Sequence, residues 1–232
     1  MPQHNVFNAL NSLKRNLKPG DIINIDGYDK ILEPWNIVTH KCVRSHQKHL
    51  FGPLSNYHDT HTMMYFGPDK VFSVTAPKTR WETIEKHAEN RFTILRYTKK
   101  QFTDHDIAIM YNTALKIIDT KYDYGQLLDI AINQILGYDN IIKYKWFDMG
   151  KKRMVCSVGC RTIMEDLRHQ QEIEGTIAIE RLFNKLNEMH WTQHQIDEFT
   201  RVDVECTSPG HFSNTNWFDR EYTIQLMWQM FL

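Results

Sequence analysis

The chain of 232 residues has no excess of either charge: 28 Lys and Arg stand against 28 Asp and Glu, a formal net charge of zero with the 12 histidines neutral. That balance removes the electrostatic case for nucleic acid or an anionic membrane surface as the main partner. No apolar run approaches the ~20 residues that span a bilayer, and the opening Met1-Pro2-Gln3-His4-Asn5 lacks the basic and apolar regions of a secretory signal. The expectation is a protein without stable membrane insertion, working in the cytoplasm or a virus particle. Cysteine is scarce as well. Cys42, Cys156, Cys160 and Cys206 lie too far apart, in a chain long enough to build a core, for a disulfide framework, so free thiols are expected. Only 10 Gly and 7 Pro accompany 41% hydrophobic residues, which excludes a disordered or fibrous chain. One domain over residues 1–232 is expected.

What is present is a succession of short periodic segments. Val6, Phe7, Leu10, Leu13 and Leu17 recur at helical spacing until Lys18-Pro19-Gly20 stops them. Asp21 to Asp26 is a β-branched run closed by Gly27, a buried strand. Residues 27–60 carry weaker signals, with one helix around Asn36 to Leu50, and read as an insertion or lid. His61 to Phe66 and Val71 to Ala76, joined by Gly67-Pro68-Asp69-Lys70, predict a hairpin. Phe92 to Tyr97 is a further strand. Thr103 with Asp106 has capping-box spacing ahead of a helical face from Ile107 to Ile118, and Tyr124 to Leu136 predicts another helix capped by Gly137. Arg153-Met154-Val155 is a short strand that turns into a helix at Cys156. Two short helices follow at Thr176 to Leu186 and Thr192 to Phe199, and Tyr222 to Trp228 alternates as a half-buried strand. The sum is an α+β fold with an antiparallel sheet packed on helices.

A cysteine where a strand meets a helix N-terminus has two advantages as a nucleophile. Its thiolate lies at the positive end of the helix dipole, and free N–H groups there cradle an oxyanion. Cys156 meets that description, whereas Cys160 lies one turn inside the helix. A thiolate also needs a base, and His61, opening a hairpin strand, is rigidly presented. Against this stands the bland alternative: two cysteines as small hydrophobes on one helical face and a histidine at an ordinary strand end.

Leu17-Lys-Pro-Gly-Asp21-Ile-Ile, His61-Thr-Met-Met-Tyr-Phe-Gly67, Tyr122-Asp123-Tyr-Gly125, Met154-Val-Cys156-Ser157 and Thr207-Ser-Pro209-Gly-His-Phe212 are met in that order. Together they resemble the landmarks of the circularly permuted papain-like cysteine hydrolases. That group includes the YiiX type and is similar to lecithin retinol acyltransferase and the NlpC-type cell-wall peptidases. The resemblance spans roughly residues 17 to 218. It implies a permuted papain-like fold, Cys156 as nucleophile and His61 as its base. The family's third polar residue, twelve positions past the histidine, falls here on Ser73. A serine accepts a hydrogen bond from the imidazole but offers no charge. Hairpin register decides its use: a turn centred on Gly67 puts Ser73 opposite His61, one centred on Pro68 puts Thr75 there, and one with Pro68-Asp69 as its central pair puts Ala76 there.

The resulting expectation is a cysteine-dependent hydrolase of the peptidase or amidase kind, forming an acyl-enzyme thioester on a peptide, amide or acyl substrate. A lipid acyltransferase or esterase of the same fold, and a non-catalytic binding or assembly module, are the alternatives. Cys42, His46 and His49 with His58 or His61 raise a zinc alternative, but Cys-x3-His-x2-His matches no common site, and no metal or cofactor is expected.

Overall fold

The structure, a computed structural model, describes residues 10–27, 34–53, 55–68, 70–88, 90–98, 100–135, 153–171, 207–213 and 218–225. The short helices expected at Thr176 to Leu186 and Thr192 to Phe199, and the Gly137 cap, lie outside them. The fold is α+β. Its strands are β1 (Ile22–Asp26), β2 (His61–Gly67), β3 (Lys70–Thr75), β4 (Lys78–Glu82), β5 (Arg91–Tyr97), β6 (Lys121–Tyr122), β7 (Arg153–Met154) and β8 (Phe218–Gln225). They form one sheet in the order β7-β6-β4-β3-β2-β1-β5-β8, antiparallel except for β6 beside β7. Its helices are α1 (residues 10–16), α2 (Pro34–Phe51), α3 (Asp104–Ile117), α4 (Tyr124–Ile135), α5 (Cys156–Gln170) and α6 (Pro209–Ser213), with a 3-10 turn at Ile84–His87. The expected hairpin, capping box and strand-to-helix junction at Cys156 are all present. At the box, Thr103 and Asp106 exchange side-chain and backbone bonds in both directions.

Strand alternation sorts the core into two halves, one on each face of the sheet. On one face Ile22, Met64, Phe72, Val74 and Leu95 pack against α3 (Ile109, Met110, Ala114) and α5 (Cys156, Cys160, Ile163, Met164, Leu167). On the other, Ile23, Ile25, Met63, Tyr65, Val71, Phe92 and Ile94 pack against Leu10, Leu13 and Leu17 of the N-terminal segment and Ile84 of the 3-10 turn. Helix α5 approaches closely. A Cβ on Gly159 would stand 2.6 Å from Val74 Cγ2 and 3.1 Å from Phe72 Cε1, so only glycine lets the helix lie this near the strand.

Strand β4, unmarked in the sequence, extends the hairpin into a meander through Val71↔Glu82, Phe72↔Trp81 and Ser73↔Arg80. The hairpin combines two of the three registers open to it. Met63↔Ser73 and Tyr65↔Val71 follow the Pro68-centred pairing, whereas Gly67↔Lys70 belongs to a turn with Pro68-Asp69 at its centre. An irregularity between Tyr65 and Gly67 takes up the difference.

Candidate active site

Cys156 is the first residue of α5, preceded by Val155 in extended conformation, so the chain passes from β7 into the helix within one residue. The backbone N–H groups of Thr62, Ser157 and Cys156 itself favour its charged form. The Ser157 hydroxyl has one proton, and that bond goes to the carbonyl of Thr207, so the amides are the donors that favour a thiolate. Burial opposes them and prevails, raising the thiol above its ordinary value. Cys160, one turn on, is pushed higher still by burial and by the neighbouring sulfur. Tyr122 lies close as well: burial first, then the Cys156 sulfur, raise its phenol. Cys42, Cys156 and Cys160 are all free thiols.

A buried polar network borders this face. Asn24, the polar residue inside the apolar run of β1, donates to Asp59 Oδ2 (3.1 Å), Pro209 O (2.8 Å) and Ser213 Oγ (2.9 Å), and its carbonyl accepts from Thr62 Oγ1 (2.8 Å). Asp59 Oδ2 also accepts from Asn56 and Ser213, both at 2.9 Å. Gln47 of α2 donates to Tyr57 O and Asp59 O and accepts from the Gly210 amide. Arg44, one turn earlier, reaches Asp26 and the Gly27 carbonyl at 2.9 Å each. Helix α2, in the stretch read as an insertion or lid, is thus fastened to the sheet's end largely by polar side chains.

His61 is the first residue of β2, and its Nε2 lies 3.1 Å from Ser73 Oγ. Thr75 bonds Glu82 Oε1 instead (3.2 Å). The His61 ring stacks on that of His87 at 5.8 Å and 26°. His87 Nε2 is 2.9 Å from Glu82 Oε2, and Arg80 and Lys86 hold the other oxygen of the same carboxylate. Burial alone would raise the Glu82 carboxyl, but the bonds from His87, Lys86 and Arg80 outweigh it and hold it well below the carboxylate range. Burial, then the His87 charge, lower His61 from 6.5 to about 3, so the imidazole is neutral near pH 7.

The expected Cys156–His61 pair is therefore not joined. Register puts His61 level with Ile25, on the face of Met63 and Tyr65, and Ser73 on the face of Val71, whereas Cys156 lies with Met64, Phe72 and Val74 on the opposite face. Among the described residues no hydrogen bond links the imidazole to the sulfur. What the sulfur meets is the peptide amide between His61 and Thr62.

Sequence reasoning missed Glu82 and His87, because Lys78-Thr-Arg-Trp-Glu82 reads as an exposed charged stretch. It also missed Asn24 and Asp59, although an asparagine amid isoleucines was a usable signal. Among the described residues no group of three or more His, Cys, Asp or Glu is arranged to hold a metal, and no helix is long and apolar enough to cross a membrane.

No family model matches the chain, and no curated protein matches it. Among solved structures it is similar to the crystal structure of metalloprotein yiiX from Escherichia coli O157:H7, at 11% identity and a TM-score of 0.46 over 89% of this chain and 96% of that one. A likeness of this degree assigns neither residue nor activity.

Proposed function

We propose that the chain is a cysteine-dependent hydrolase of the papain-like, peptidase or amidase kind, with Cys156 as nucleophile. The observation that supports this reading is the sulfur's setting: it sits at the head of a 15-residue helix, where the backbone amides of Thr62 and Ser157 favour its charged form. A thiol present only to fill space has no need of them, and amides so placed stabilise negative charge on sulfur or on the oxyanion of a carbonyl it attacks. The thiolate adds to an amide, ester or thioester carbonyl, the tetrahedral adduct expels the amine, alcohol or thiol with a proton, and water releases the acid from the acyl-cysteine. An acceptor other than water would make the same site a transferase.

The arrangement described is, in this reading, a resting form. Burial keeps the thiol protonated, and His61, the base, works only from the α5 side of β2. Residues 61 and 62 pair with β1 but precede the first pairing with β3 at Met63, so a one-residue slip of that strand end, at the cost of the Asn24 and Ile25 pairs, carries the ring across and gives up its Ser73 bond. The placement of the two residues on opposite faces favours a second reading, a binding or assembly module that keeps the fold without the chemistry.

Intact-mass analysis after iodoacetamide or activated acyl probes separates the two readings, using wild type, Cys156→Ala, Cys160→Ala and His61→Gln. The hydrolase reading expects an adduct lost only in Cys156→Ala, forming at least tenfold more slowly in His61→Gln, with turnover falling by several orders of magnitude in either variant. Equal, slow labelling of Cys156 and Cys160 that ignores His61→Gln overturns it in favour of the module.

A further inference from the structure

We infer that His87, clamped on Glu82, is a positioning residue for His61: its stacked ring fixes the imidazole against Ser73, and a charge on either ring opposes one on the other. The inference deepens the hydrolase reading, because it names what holds the base in its resting place, but its geometry stands without that reading.

Two hydrogen-bonded pairs lie side by side, His61 with Ser73 at 3.1 Å and His87 with Glu82 at 2.9 Å, joined by ring contact at 5.8 Å. A proton on His87 Nε2 faces a carboxylate, whereas one on His61 Nε2 faces a hydroxyl, which accepts the bond but returns no charge. Two charged rings at stacking distance repel, so a charge on His87 opposes one on His61. Among the charged groups around them, the Glu82 carboxylate favours a charge on His61, while His40 from α2 and Lys86 from the 3-10 turn oppose it. Arg80 from β4 and Lys86 both bind Glu82, and Ser73 and Thr75 of β3 carry no charge. The carboxylate's unlike charge reaches His61 across the His87 ring. The arrangement gives His61 an orienting neighbour on β4 and the turn after it, where Ser73 alone provides a hydroxyl.

The test is an NMR titration of both imidazole rings in the full chain, in wild type, His87→Phe and Lys86→Gln. Phenylalanine keeps the stack and removes the charge; glutamine at 86 removes an adjacent cation that touches no ring. The expected result is that the His61 midpoint rises by about one pH unit in His87→Phe and by less than a third of that in Lys86→Gln. A midpoint that ignores His87→Phe, or one that Lys86→Gln moves equally, overturns the inference. If His87→Phe does not fold, His87→Gln, which also removes the charge, takes its place. The readout is ring titration, so a failed alkylation experiment at Cys156 leaves it intact, and the converse holds too.

Discussion

The two faces of the sheet solve the burial of polar chemistry in opposite ways. On the α5 face the Cys156 sulfur lies in the apolar core, with backbone amides beside it and burial deciding its protonation, while the Asn24–Asp59 network is kept to the border. On the α1 face the ionisable atoms are packed together, and one carboxylate, Glu82, collects bonds from Arg80, Lys86, His87 and Thr75. The first face is organised by shape, and the second by charge satisfaction. Substitutions that enlarge or shrink side chains should therefore be felt most beside Cys156, and changes of pH most beside His61.

Adjacent positions on β3 test the shape half of that contrast. Phe72, wholly buried against Cys156 and Cys160, should cost about 3–5 kcal/mol when cut to alanine and should speed labelling of both cysteines; Val71→Ala, on the other face, should leave labelling unchanged. Urea unfolding with parallel thiol counting reads both effects, and equal changes in labelling would dissolve the contrast.

Acid tests the charge half. The folded protein holds His61 neutral down to about 3, whereas the unfolded chain takes up its proton near 6.5. Stability is therefore complete above 6.5 and falls as pH drops toward 3, by about 1.4 kcal/mol per pH unit at most. By pH 5 the loss reaches up to about 2 kcal/mol, trimmed by the little surface His61 retains. The carboxyls lowered by their partners, Glu82, Glu85, Asp106, Glu165 and Asp166, lose their contribution only below about 4.5, so they stay out of the range from pH 5 to 7. Denaturant melts between pH 5 and 7 should show a shallower slope in His61→Gln, and an unchanged slope would place the acid sensitivity elsewhere.

The smallest effect sharpens the packing claim. Gly159→Ala gains about 1 kcal/mol of helix propensity but drives a methyl into Val74, whose branched side chain has little freedom to yield. With overpacking of about 1–3 kcal/mol, the net is a loss of about 1 kcal/mol in urea unfolding. A stabilised variant would mean that α5 stands off the sheet more than its contacts indicate.

Much of this was legible in the sequence because it is local. The hairpin, the Thr103–Asp106 box and the start of a helix at Cys156 follow from patterns a few residues long. The face each side chain takes was not legible, because it depends on a one-residue irregularity at Phe66 and on pairing with β1 and β4, which spacing within β2 and β3 does not encode. Choosing Cys156 and His61 by local setting found two residues whose side chains lie on opposite faces of the sheet. Glu82 escaped for the complementary reason: its burial comes from Arg80, Lys86 and His87 folding over it, and a charged strand shows no trace of that in its composition.

The bonds from Asn24, Gln47 and Asp59 to residues 209–213 bridge separations of 154 to 189 positions along the chain. During synthesis on the ribosome, β1, the 56–60 loop and α2 emerge long before Pro209 and Ser213 do. Until then the amide of Asn24 and the carboxylate of Asp59 lack those partners and must keep water. The setting of Cys156 is thus completed last: Thr207, the partner of the adjacent Ser157, is made 50 positions after it.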